Sequence, residues 1–321
     1  MRNLIRDYMP KKFCREFVII KGHALQVSMY MSCVLGIKPL MDDWIPTHAI
    51  GDFRKACRKY GLHCREDIIF LDKNKEDIGK EVVGRENITS TSGIGLPLAA
   101  KVAGTIHVFV SKDKNLLKEG MWYPAIIKNR VVFQPRADTL NYGAVLGYPD
   151  CCIRFFRKYN NWDRYSYLYE VLKNTKTTPS FLCNPFLKDM VFSYIYHMPC
   201  GYDCVKTKTL VSRLRKEIKK LEPDFVTLAD TYLKMPFLVF YERKVYGFEG
   251  SLNRDTIRYK KYHFLFPDKR KNIYAGLFKR SDRVRMDRWH ISLFKGNRYS
   301  GTIDTQQSGF APEYPFMIQF S

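Results

Sequence analysis

The chain has 321 residues, 45% of them hydrophobic and 15% aromatic, with nine cysteines and a formal net charge of +22. That much apolar material excludes a disordered chain, and no apolar run approaches the roughly 18 residues of a membrane-spanning helix. The charge exceeds what solubility asks for, and polyanions are its natural partners, nucleic acid before anionic membrane.

From Met1 to about residue 135 the pattern mixes helical and extended segments. "FVIIKGHALQVSMYMSCVLG" reads as a strand or buried turn leading into an apolar helix closed by Gly36. In "IGDFRKACRKYGL", Phe53, Cys57 and Tyr60 recur at helical spacing before Gly61. "EDIIFLD", "TIHVFVSKD" and "NRVVFQP" predict strands and "LPLAAKVAG" a brief helix. The loop of "TSTSGIGLPLAAKVAG" places Gly93 and Gly95 before that helix. Such a loop can cradle a phosphate on backbone N–H groups, or simply turn, since it lacks both a full GxGxxG and a Walker lysine. "MDDWIPTH" holds the acidic pair Asp42 and Asp43, read as a solvated turn or a cation or general-base site. His107 reads as a strand residue facing a neighbour. His63 and Cys64, adjacent on a strand, point to opposite faces.

From Tyr142 to Leu221 the pattern is helical. "PDCCIRFFRKYNNW" puts Cys152, Phe155, Phe156 and Tyr159 on one stripe. "NPFLKDMVFSYIYH" predicts a second helix. "DCVKTKTLVSRLRKEIKKLEP" predicts a third, with Leu210, Leu214, Ile218 and Leu221 inward and Pro223 ending it. Beyond it, "PFLVFYERKVYGFEG", "TIRYKKYHFLFP", "NIYAGLFKR" and "DRWHISLFKGN" predict the hairpins of an antiparallel sheet or partly closed barrel. The expected fold is therefore α+β: an N-terminal α/β layer over 1–135, a central helical Cys/His unit over 136–223 and a basic, antiparallel β-rich region over 224–321.

The opening "MRNLIRDYMPKKFCREFVII" shows no long apolar stretch with a small-residue cleavage site, so a cytoplasmic location is expected. An odd number of cysteines in that setting argues against a disulfide framework. Cys14, Cys33, Cys57 and Cys64 are scattered and read as small buried hydrophobes. Cys151, Cys152, Cys183, Cys200 and Cys204 crowd into 54 positions. Pro149 suits a first helical turn, which sets Cys151 and Cys152 among free N–H groups at the positive end of a helix. Cys200 and Cys204 repeat the arrangement after Pro199, with Asp203 as a cap. Such ends favour thiolates, the ligands that zinc or an iron–sulfur cluster takes. The expected metal set is Cys152, Cys200 and Cys204 with His197 or Cys183, and at least one of Cys151 and Cys152 is expected to be packing. The same residues also admit a thiol nucleophile, Cys152 activated by His197, or a core of small buried thiols.

"GYPDCC", followed by "FF" and later by "HMPCGYDC", resembles an uncharacterised prokaryotic domain family with a Gly-Tyr-Pro-x-Cys-Cys signature, over Val108 to Cys204. The resemblance implies that these cysteines form one site; it implies no reaction.

Charge is densest late: from Val205 onward there are 24 Lys and Arg against 12 Asp and Glu. "YERKVYGFEG" and "RYKKYHF" interleave basic and aromatic residues, so Arg243, Lys244, Arg258, Lys260 and Lys261 are the candidate nucleic-acid contacts. The leading expectation is an enzyme whose Cys/His metal centre acts on a nucleic acid or nucleotide-like anion, with His197 ligating or moving protons. The alternatives are a non-catalytic nucleic-acid-binding protein with a structural metal, and a metal-free thiol transferase. An open coordination position favours the first, and four protein ligands favour the second.

Overall fold

The computed structural model describes residues 5, 8–21, 27–71, 95–100, 103–120, 125–127, 130–133, 139–159, 167–187, 191–241, 244–265, 272–305 and 315–321. The class is α+β, with antiparallel sheets throughout and a β-rich C-terminal part. The chain divides into two compact units, one formed by Met9–His23 and Met29–Ile153, the other by Met1–Tyr8, Ala24–Ser28 and Arg154–Ser321.

The first unit contains helices α1 (Arg15–Lys21), α2 (Val27–Val34) from Met29 onward, α3 (Ile50–Lys59) and α4 (Thr139–Val145). Its strands β1 (Met41–Pro46), β2 (His63–Leu71), β3 (Gly95–Pro97) and β4 (Gly104–Ser111) form a sheet of order β1-β4-β2-β3. A separate pair joins β5 (Ala125–Ile127) to β6 (Arg130–Phe133). β4 lies between two neighbours and is buried almost throughout, which is why "IHVFV" reads as a nearly continuous apolar run. α3 turns Phe53, Ala56 and Cys57 inward, as its spacing predicts. "MDDWIP" is not a solvated turn but a strand alternating buried and half-buried residues, with Asp43 on the buried side. "LPLAA" begins as strand and makes only a short 3₁₀ turn at Leu98–Ala100.

The second unit is dominated by seven strands: β7 (Pro236–Tyr241), β8 (Lys244–Asn253), β9 (Thr256–Phe264), β10 (Arg283–Met286), β11 (His290–Lys295), β12 (Arg298–Asp304) and β13 (Phe316–Gln319). They pair in the order β12-β11-β10-β9-β8-β7-β13. One face carries a core of Leu238, Phe240, Tyr246, Phe248, Ile257 and Leu293, closed by Phe278. Phe278 belongs to a short helix, Ala275–Lys279, where "NIYAGLFKR" predicted a strand. Spacing of three to four brings Tyr274 and Phe278 onto the same sheet-facing side.

Helices α5 (Asp150–Tyr159) and α6 (Tyr167–Lys173) precede a stretch without regular structure at 184–187 and 191–200, where a helix was expected. There the Asn184 carboxamide accepts the Phe186 N–H, and Val191, Phe192, Ser193, Tyr194 and Ile195 are all buried. A surface helix cannot bury five successive residues, so the run is threaded through the core instead. α7 (Val205–Leu221) forms as predicted, but its buried stripe is Thr207, Val211, Leu214 and Ile218, leaving Leu221 exposed. Pro223 is the first residue of α8 (Pro223–Leu233), a position where its missing N–H costs nothing. Arg215 and Asp230 join α7 to α8 through paired hydrogen bonds at 2.9 and 2.5 Å.

A bulge between Glu249 and Gly250 leaves Lys260 as the extra residue of β9. A methyl group on Gly250 would lie 1.8 Å from the Arg258 carbonyl oxygen. Gly250→Ala is therefore expected to destabilise the fold by about 2 kcal/mol or more, since backbone must move to admit it. Chemical denaturation of the variant checks this.

Candidate metal centre

Two helix entrances supply the thiols. α4 gives way to a turn at Gly147, whose φ of +76° suits a residue without Cβ, and where a Cβ would also lie 2.6 Å from Pro39. After this turn the Pro149 carbonyl accepts the Cys152 and Ile153 N–H groups at 2.9 and 3.0 Å, so α5 starts with Cys151 and Cys152 in its first turn. At the other entrance the Cys204 N–H donates to the Gly201 carbonyl at 3.1 Å, and the Cys204 carbonyl accepts Lys208 N–H to begin α7. Cys204 is the N-cap residue, yet its side chain makes no capping hydrogen bond.

The loop between Cys200 and Cys204 is pinned along its length. Asn174 Nδ2 donates to the Cys200 carbonyl at 2.6 Å, and Tyr202 N–H donates to Thr175 Oγ1 at 2.9 Å. Asp203, expected as a cap, accepts the N–H groups of Lys176 and Thr177 and the Thr177 hydroxyl. Burial opposes its ionisation, but these donors outweigh burial and hold the carboxyl below its usual value.

The outcome is one group of four. The sulfurs of Cys151, Cys152, Cys200 and Cys204 all lie within 4.8 Å of one another, with Cys152 and Cys204 buried and the other two half-buried. Cys151 and Cys152 are 3.9 Å apart, Sγ to Sγ. Four thiolates around one ion at a 2.3 Å bond length stand about 3.8 Å from each other, so the group fits a single tetrahedral metal. Both adjacent cysteines take part, where the sequence suggested that one packs. In a helix interior the preceding turn restricts where a side chain can point; the first turn has none before it, and two successive thiols can reach one place.

Neither His197 nor Cys183 belongs to the group. The His197 ring is buried, its Nε2 3.0 Å from the Thr207 hydroxyl. The Cys183 thiol donates to the Cys204 carbonyl at 3.6 Å. Burial, reinforced by the Cys204 thiol, pushes Cys183 up to about 12, so it stays protonated and braces the ligand loop.

The other predicted residues are dispersed. Gly93 and Arg243 lie outside the described residues; Gly95 opens β3 opposite Phe70, in a strand rather than at a helix mouth. Arg258, Lys260 and Lys261 are exposed on β9, with Lys261 3.2 Å from Glu249, and Lys244 is half-buried at the start of β8.

One constellation escaped the sequence reading. His107 is fully buried on β4, with Nδ1 3.1 Å from Asp67 and Nε2 3.2 Å from Asp42. Only the pairing of β4 with both β1 and β2 brings these carboxylates to it, and no local spacing announces that. Burial works against the imidazolium, but Asp42 and Asp67 outweigh it and raise the pKa above its ordinary value. A raised folded-state pKa stabilises fully below the unfolded value of about 6.5 and is lost as pH rises through the folded value. Relative to His107→Gln, the protein is expected to lose stability on going from pH 6 upward; parallel melting curves across that range check it.

Comparisons with family models, curated proteins and solved structures give no match. Among the described residues no helix is long and apolar enough to cross a membrane. The finding that stands is chemical: four clustered cysteines that can hold a metal ion.

Proposed function

We propose that this is a nucleic-acid-binding protein in which Cys151, Cys152, Cys200 and Cys204 hold one zinc ion as a closed, structural centre. The observation that carries the reading is the mutual 4.8 Å limit on the four sulfurs. A four-iron cluster takes one cysteine on each of its four irons and so needs the cysteine sulfurs farther apart than one tetrahedral ion does. Catalytic zinc keeps a position for water or substrate, and here a fourth thiol fills that place. His197, the proton carrier of an enzyme reading, is engaged with Thr207. The ion's role is then structural: it holds four thiols that burial alone would leave protonated.

The nucleic-acid part rests on the net charge of +22 and on the exposed Arg258, Lys260 and Lys261 of β9. Titration of RNA and DNA against salt tests it. Affinity is expected to fall steeply with salt, and Lys260→Glu to weaken binding and flatten the dependence. No binding at low salt removes nucleic acid from the account.

A further inference from the structure

The outer face of the C-terminal sheet, opposite the core closed by Phe278, carries an ordered row. Register places Ser251 beside Arg258, Arg258 beside Arg283, Arg283 beside Phe294 and Phe294 beside Tyr299, across β8 to β12. Directly opposed antiparallel residues share a face, and five strands span about 19 Å at 4.8 Å per strand. The guanidinium of Arg283 sits 4.6 Å from the Phe294 ring centroid, and the Phe294 and Tyr299 rings meet edge to face at 6.1 Å. Tyr299 is 61% exposed, and Trp289, on the β10–β11 turn with Arg288 over its ring, is 44% exposed.

The cationic end of the row lines a groove of about 450 Å³ whose walls include Ser251, Arg258, Lys260 and Arg283. Two carboxylates also reach it, but both are engaged: Glu249 with Lys261 and His263, Asp282 with Lys295 and the Gly296 N–H. Among the described residues, Arg258, Lys260 and Arg283 form no ion pair. The face thus presents cations available to an anion beside flat rings available to a planar group.

An exposed tyrosine by itself is ordinary. What distinguishes this face is the sequence of chemistry along one row, cation to aromatic, on a surface whose apolar rings are not needed for the core beneath. Phosphates interact with the cations and bases stack on the rings, and only a single strand offers both at once, because a duplex hides the faces of its bases. We propose that the outer face of β8–β12 binds single-stranded nucleic acid, with bases on the exposed Tyr299, which Phe294 buttresses, and phosphates on Arg258, Lys260 and Arg283. This rests on the nucleic-acid reading above and adds the strandedness and the surface.

The test is fluorescence anisotropy with labelled single-stranded RNA and DNA and with duplexes of the same sequence, on the full chain and on Tyr299→Ala and Arg258→Glu. Single strands are expected to bind about ten-fold tighter than duplex, and Tyr299→Ala to erase about ten-fold of single-strand affinity while leaving duplex affinity and the salt slope unchanged. Arg258→Glu is expected to weaken both and reduce the slope. Circular dichroism confirms folding, which removal of an exposed ring does not threaten. Duplex binding as tight as single-strand binding, or a Tyr299→Ala effect under two-fold, overturns this inference and leaves nucleic-acid binding standing. Binding to anionic vesicles with none to any oligonucleotide overturns both.

Discussion

Cys204→Ser is expected to abolish stoichiometric metal binding and to destabilise the protein by about 4 kcal/mol or more, the scale reached when a structural metal is lost. For a unit of this size that is roughly a 10 °C fall in melting temperature. Serine keeps the shape of the side chain, but its hydroxyl stays protonated near neutrality and is a poor ligand for a soft site. The three remaining sulfurs, still within 4.8 Å of each other, then lack the cation that balances them as thiolates. Cys152→Ser is expected to behave alike, because it too is a buried member of the group. Two neighbours give the contrast. His197→Ala leaves the Thr207 hydroxyl without its ring partner and costs about 1–3 kcal/mol, yet retains the metal. Cys183→Ala removes one weak thiol donor to the Cys204 carbonyl and also retains it. Elemental analysis alongside calorimetry separates these outcomes; equal metal loss in all four variants contradicts the assignment.

The second large effect lies far along the chain. Asp43→Ala is expected to cost about 3–5 kcal/mol, the range for breaking a buried ion pair from one side. Asp43 Oδ1 accepts from the Lys21 ammonium at 2.6 Å, and both side chains are only 8% exposed. Its other oxygen accepts from the Tyr30 hydroxyl. Tyr30 is itself fully buried, stacked on Phe17 with centroids 4.3 Å apart. Burial and the Asp43 charge both hold the Tyr30 hydroxyl well above its ordinary pKa, so it remains a donor. Deleting the carboxylate leaves a buried ammonium with the Trp44 carbonyl and no counter-ion. The double variant Lys21→Met/Asp43→Asn removes both charges and keeps an acceptor for Tyr30. It is expected to be more stable than Asp43→Ala, as urea titration of the three proteins would show.

Asp43 also shows where sequence reasoning stopped. An acidic pair in a basic chain suggests solvent, and only β1's place beside β4, with Lys21 brought in from α1, explains its burial. Periodicity served well where one face alone is buried: Leu214 and Ile218 of α7 face inward as predicted, and β11 alternates, as does β9 up to its bulge. It failed at 191–195, buried on all sides, and at Ala275–Lys279, whose five residues are too few for a helical period to show. The thiol cluster was legible because proline and cysteine mark helix entrances locally. Which cysteines complete it was not, because Cys151, Cys183 and His197 differ only in where the folded chain points them.

The central claim is a single metal held by four cysteines, and X-ray absorption at the edge of the bound metal tests it most directly. One zinc per chain is expected, with a single shell of four sulfurs at about 2.3 Å and no metal–metal scattering. An iron edge with a short iron–iron vector, or a shell in which nitrogen or oxygen replaces a sulfur, would contradict it.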